Sequence, residues 1–244
     1  MRAEGTSEGT IATLKAFAAK VGKTVVVTTD SAGFAVNRVL APYLFEAIRL
    51  FEQGVPADDL EKGITKFGMP MGPLALLDEV GLDTCAKVIH QMNTAFGARL
   101  APPALLASLE KLKLLGKKGG KGFYLYDQSG KRLGYNPDVL ALQPKTLSPR
   151  KVEEIQDRLV LAMVNEAALT LAEGIVADPA DLDVAMILGT GFAPFRGGVL
   201  RYADQVGVGT VLQKLEALEQ VAGANYAPAA LIRRLAAEGK CFHS

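Results

Sequence analysis

Three groups of residues in this sequence carry atoms suited to chemistry. Asn37 is a polar residue one turn into an otherwise apolar stretch, directly after a β-branched run, the place where open α/β sheets form ligand crevices. Its amide could donate to a substrate carbonyl while accepting from a hydroxyl, and helix packing or second-turn capping explains the same residue. Gly116-Lys-Lys-Gly-Gly-Lys-Gly-Phe-Tyr124 sets lysines among glycines. Flexible backbone amides beside ammonium groups suit a phosphate, and a solvated turn before a short strand accounts for the same composition. Gly191-Phe-Ala-Pro-Phe-Arg-Gly-Gly198 either presents Arg196 to an anion or anchors a packed turn.

Other chemistries find little support. The two histidines, His90 and His243, have no carboxylate or serine partner at a convincing spacing, so neither a triad nor a His-based acid-base dyad is visible. Gly207-Val-Gly209 follows a helical pattern rather than a strand and lacks a third glycine, which fails the context of a dinucleotide-binding turn. Gly189-Thr-Gly191 reads as a backbone turn. Cys85 and Cys241 lie far apart without CxxC spacing, so no metal site is expected, and Cys85 reads as a small buried hydrophobe. A formal charge of +1 with scattered Lys and Arg leaves nucleic acid without an electrostatic footprint. Asn165, Glu166 and Glu173 interrupt the longest apolar run before it reaches the roughly 18 residues that span a bilayer, and no signal-peptide core opens the chain. A cytoplasmic protein is the expectation.

The elements that must position these residues are mostly helices. With 49% hydrophobic and 22% charged positions, 244 residues can bury one or two cores. The spacing of Ile11, Leu14, Phe17, Ala18 and Val21 predicts a first helix closed by Gly22, and Lys23-Thr-Val-Val-Val-Thr-Thr29 predicts a strand. One strand cannot form a sheet, so this opening reads as the last αβ unit of a larger parallel sheet. A long helix is expected from near Phe34 to Gly54, interrupted by Pro42, then helices to about Phe67, over Leu74–Val80, from Asp83 or Thr84 through Ala98, and from Pro102 to before Gly116. The passage then returns. Asn37–Gly54 (NRVLAPYLFEAIRLFEQG) lines up without a gap on Asp157–Gly174 (DRLVLAMVNEAALTLAEG), Asp59-Leu60 answers Asp181-Leu182, and Asp78-Glu-Val-Gly81 answers Asp204-Gln-Val-Gly207. A repeat of roughly 120 residues is the size of a small domain rather than a solenoid unit. Residues 31–244 are expected to fold as one helical unit.

Asp30-Ser-Ala-Gly-Phe-Ala-Val-Asn-Arg-Val-Leu40, Gly68-Met-Pro-Met-Gly-Pro73 with Leu77-Asp-Glu-Val-Gly-Leu-Asp83, and the Gly116–Tyr124 loop together resemble the C-terminal part of L-3-hydroxyacyl-CoA dehydrogenases. The duplication, with Gly191–Gly198 in its second half, is most similar to the multifunctional α-subunit family of fatty-acid β-oxidation, which joins enoyl-CoA hydratase and dehydrogenase. The resemblance implies a mainly α fold: a duplicated helical domain like the C-terminal domain of 6-phosphogluconate dehydrogenase, preceded by the last αβ unit of a Rossmann domain. It divides the chain into a Rossmann remnant at 1–30, a first helical repeat at 31–132, a linker rich in Gly and Pro at 133–150 and a second repeat at 151–244. It also implies NAD as the cofactor and acyl-CoA as the substrate of the complete enzyme. A His-Glu pair and a Gly-rich turn serve catalysis and cofactor binding in that family, and neither is found in this sequence. By resemblance Asn37 positions the substrate's reacting oxygen and Lys118 lies near the nicotinamide cofactor, while Asp157 stands where the second repeat would need Asn. The chain is therefore expected to be inactive alone, with an N-terminal dehydrogenase or hydratase part, a thiolase subunit or a second copy of itself as partner. The alternative is a free-standing helical interaction module without catalysis.

Overall fold

A computed structural model describes residues 1–243. Ser7 caps the first helix, α1 (Glu8–Lys20), by accepting from the Thr10 amide. The expected apolar stripe is present and faces outward: α1 buries no residue, and Phe17 is 62% exposed. The expected strand at 23–29 is not formed. These residues are extended, but they form no ladder: an isolated bridge joins Arg2 and Thr29, the Arg2 amide donates to the Thr28 carbonyl, the Lys23 amide to that of Ala18 and the Thr29 amide to that of Ile175. β-branched residues favour the extended conformation, whereas a strand needs a continuous partner, which these residues lack.

The helices that follow are α2 (Val36–Glu52), α3 (Ala57–Phe67), α4 (Pro73–Val80), α5 (Leu82–Phe96) and α6 (Leu106–Lys111). The region read as a linker carries more order than its composition suggests. β1 (Tyr124–Tyr126) pairs antiparallel with β2 (Arg132–Tyr135), and Asn136 caps the short α7 (Pro137–Leu140). Then come α8 (Val152–Ala172), α9 (Pro179–Thr190), α10 (Val199–Val206), α11 (Val208–Ala222) and α12 (Ala230–Glu238). The chain is thus mainly helical, with two short strands among the described residues. No helix of the described residues is long and apolar enough to cross a membrane.

Two compact units emerge rather than the single one expected. The first comprises residues 1–39, 164–212 and 228–244, and the second 40–163 and 213–227. Three of their four boundaries fall inside α2, α8 and α11, so neither unit is one copy of the repeat. In the second unit Tyr43, Phe45, Ile48, Phe51, Leu60, Ile64 and Phe123 are buried, and Phe51 meets Phe123 edge to face with ring centroids 5.3 Å apart. In the first, Leu182, Met186, Phe192 and Leu200 form the interior.

Each unit also buries one arginine with carboxylates. In the first, Arg38 Nε donates to Glu166 at 2.7 Å and its Nη1 pairs with Glu173 at 2.7 Å. In the second, Arg158 pairs with Glu46, which also has Arg49 at 3.6 Å. The alignment of the repeats carries Arg38 onto Arg158 and Glu46 onto Glu166, so each arginine takes the other copy's glutamate. Burial opposes the charge of Arg38, and its hydrogen bonds to Glu173 and Glu166 outweigh that cost and raise its pKa. Burial raises the pKa of Glu46 against the pull of Arg158 and Arg49.

Candidate substrate-positioning site

The turn Asp30–Gly33 delivers the chain into α2 through two left-handed residues, Gly33 at φ 74° and Phe34 at φ 50°. Phe34 is one of two non-glycine residues with positive φ among those described, a conformation that costs a side-chain-bearing residue energy. The helix consequently starts at Val36, two residues later than the sequence pattern suggests, and Asn37 falls in its first turn. Arg38 and Val39 are buried beside it, while Asn37 is exposed. Its side chain lines an opening of about 240 Å³ with Val26, Thr28, Phe34, Val36 and Ala185. The amide has no protein hydrogen-bond partner among the described residues. A donor and an acceptor at a cavity wall, with neighbours that offer only apolar groups and a threonine, can take both bonds from a small polar ligand.

Lys118 belongs to the second unit. It sits in the 3₁₀ turn Lys117–Gly119, half exposed, and its Nζ pairs with Asp83 Oδ1 at 2.6 Å. That ammonium holds the Asp83 carboxyl below its usual pKa. Lys117 pairs with Glu79 at 2.8 Å. Two of this loop's three lysines therefore face carboxylates on α4 and α5. Its glycines make room for a third carboxylate. A Cβ at Gly122 would lie 1.9 Å from Asp78 Oδ1, and one at Gly116 2.4 Å from the Asp78 carbonyl oxygen. The loop closes around Asp78, whose carboxylate accepts from the amides of Phe123 (2.8 Å) and Tyr124 (2.9 Å) and from the Tyr126 hydroxyl (2.9 Å). Burial raises the Asp78 pKa despite these donors.

Arg196 lies in the 3₁₀ turn Pro194–Arg196, beside the buried Phe192 and Ala193 and a Phe195 that is 74% exposed. The guanidinium lies 5.3 Å from the ring centroids of both Phe195 and Tyr202. His90 is exposed and meets Glu110 at 3.0 Å. His243, read from sequence as lacking a partner, bridges two carboxylates: Nδ1 lies 2.8 Å from Asp204 and Nε2 3.0 Å from Asp183. Asp204 also accepts from the Phe242 and His243 amides, and Asp183 from those of Leu200 and Arg201 at the start of α10. Burial raises the Asp183 pKa, partly offset by those amides and by His243. The partners are remote in sequence, so residue spacing carried no sign of them. The useful signal was the echo of Asp78-Glu-Val-Gly81 in Asp204-Gln-Val-Gly207, with Phe123-Tyr124 answered by Phe242-His243.

For a dinucleotide, the described residues offer the exposed ammonium of Lys118 but no glycine-rich turn between a strand and a helix, so this chain by itself does not make a fitting NAD site. The helical plan and the Asn37 and Lys118 motifs agree with one class of protein. The chain belongs to the family described as 3-hydroxyacyl-CoA dehydrogenase, C-terminal domain, which it matches over residues 33–126 and 155–242. Its relatives include proteins named fatty acid oxidation complex subunit alpha. That of Shewanella amazonensis is 45% identical over 98% of this chain, and that of Idiomarina loihiensis is 43% identical over 98%. The chain spans about a third of these curated relatives, 34% of each. The crystal structure of 3-hydroxybutyryl-CoA dehydrogenase from Escherichia coli shares the fold with a TM-score of 0.81 at 23% identity, over 98% of this chain and 66% of that one.

Proposed function

We propose that this chain is the C-terminal substrate-positioning and assembly part of an NAD-dependent 3-hydroxyacyl-CoA dehydrogenase of cytoplasmic fatty-acid β-oxidation. The observation that carries the reading is the Asn37 amide, exposed at a cavity, without a protein partner and within the residues that match the family. In the complete enzyme that amide donates to the oxygen on the substrate's third carbon, or accepts from it when it is a hydroxyl, and so holds it in one orientation. Hydride acceptance belongs to NAD and proton transfer to a His-Glu pair, both supplied by the part that precedes this one in the family. Lys118 lies toward the cofactor, its ammonium held in place by Asp83. Residues 1–30 continue the dinucleotide-binding domain, 31–132 and 151–244 are the two helical repeats, and 133–150 joins them.

NADH oxidation with acetoacetyl-CoA tests this reading. The chain alone should be inactive, and mixing it with a separately expressed dinucleotide-binding half should restore turnover that Asn37→Ala then lowers by about two orders of magnitude. Turnover by the chain alone would overturn the assignment. A second reading, a non-catalytic module that binds a dehydrogenase half, a thiolase subunit or another copy of itself, draws support from the exposed Leu14 and Phe17 on α1 and Val21 at its C-cap. Binding of either partner without turnover on mixing would favour it.

A further inference from the structure

The second unit holds a larger opening of about 280 Å³, close to the lower limit of small-molecule pockets. Its wall is apolar, built by Ile48 of α2, Leu77 of α4, Leu82 and Ile89 of α5, and Leu106 and Leu109 of α6. Burial pushes the Cys85 thiol up to about 12, so this wall residue stays protonated and adds another weakly polar surface. The charges that line the opening are unevenly matched. Asp83 is paired with Lys118 and Glu110 with His90, whereas Lys87 and Lys113 are exposed and have no ion-pair partner among the described residues. Lys113 is also held at φ 51°, the other non-glycine residue in the left-handed region. An apolar cavity with two uncompensated ammonium groups complements an aliphatic chain that ends in one anionic group.

We propose that this cavity binds a medium-chain fatty carboxylate, its chain against Leu77, Ile89 and Leu109 and its head between Lys87 and Lys113. Occupancy does not depend on Asn37 or on turnover. Calorimetric titration of the intact chain with decanoate, and with decanol as the uncharged counterpart, tests it. Decanoate should bind saturably with one molecule per chain and at least about tenfold more tightly than decanol. The double substitution Lys87→Gln and Lys113→Asn should bring decanoate down to the affinity of decanol. Both positions are exposed and Asn tolerates the left-handed conformation, so the fold survives the change. Ala86→Leu, which fills the cavity, should weaken both ligands in a variant whose circular dichroism matches the parent. Absence of saturable decanoate binding, equal affinity for the two ligands in the parent, or decanoate affinity unchanged by the lysine substitutions would overturn the proposal.

Discussion

Asn37 and Asp157 occupy the same position in the two repeats and differ in their partners. Both line an opening, of about 240 Å³ and about 330 Å³, but Asn37 has no protein partner there, whereas both Asp157 oxygens are 2.8 Å from Lys214 Nζ. Elsewhere the copies agree closely. Glu61 accepts from the Leu74 and Ala75 amides at the start of α4, as Asp183 does from Leu200 and Arg201 at the start of α10. Each of these carboxylates leaves no room for a side chain at a glycine: a Cβ at Gly72 would lie 2.4 Å from Glu61, and one at Gly198 2.2 Å from Asp183. Asp78 and Asp204 each gather the two amides of an aromatic pair, Phe123-Tyr124 and Phe242-His243. These carboxylate anchors are thus shared, whereas at position 37/157 a free amide in the first copy is replaced by a lysine-bound carboxylate in the second. That contrast is consistent with the proposed division into one working site and one supporting half.

The largest test of the shared scaffold is its buried charge. Arg38→Met removes the cation that pairs with Glu166, which is almost wholly buried, and should destabilise the chain by about 3–5 kcal/mol in urea titration. Arg158→Met removes the nearer of two cations from the buried Glu46 and should cost about 1–3 kcal/mol, since Arg49 stays 3.6 Å away. A cost of about 3–5 kcal/mol would show that Arg49 does not compensate. The reciprocal exchange at the divergent position sharpens the functional contrast. In the reconstituted enzyme, Asn37→Asp should reduce turnover at least about tenfold with stability changed by under about 0.5 kcal/mol. Asp157→Asn should leave turnover intact and lower stability by no more than about 1 kcal/mol, since its ion pair is partly exposed. If both exchanges reduce turnover alike, the assignment of one working half fails.

Proton linkage gives a smaller effect. Burial raises the pKa of Asp183 above its unfolded value near about 4, so its stabilising contribution is complete below that value and is lost as pH rises through the folded one. Asp183→Asn should therefore flatten the fall in Tm from about pH 4 upward. Glu61→Gln should act in the same direction, its pKa also raised by burial, and should be insensitive to His243→Phe because no imidazole meets Glu61 in the first repeat. The smallest expected change is at Tyr43, whose buried hydroxyl has no hydrogen-bond partner. Tyr43→Phe should be neutral or stabilise by up to about 1 kcal/mol in the same urea titrations.

Helices were readable in the sequence where an apolar period ran between local stop signals, as from Ala57 to Gly68, whose glycine takes a left-handed C-cap. The strand pattern at Lys23–Thr29 was equally clear and misled, because extended propensity is local and ladder partners are not. β2 and α7 were hidden in a Gly- and Pro-rich stretch whose Pro137 starts a helix instead of only breaking one. Asn37 stood out through its polarity in an apolar run. The carboxylates that hold the loops did not, since Asp78 reaches Phe123 and Asp204 reaches His243 only after the chain has folded back.

The exchanged arginine–glutamate pairs restrict how such a gene can change. Once Arg38 relies on Glu166 and Arg158 on Glu46, a loss in either half must be answered by a change in the other. Separating the halves between residues 133 and 150 would give each fragment an arginine and a glutamate whose partners are on the other polypeptide. The two copies are free to drift apart over most of their surface, but they share one inheritance of buried charge and can be modified there only together.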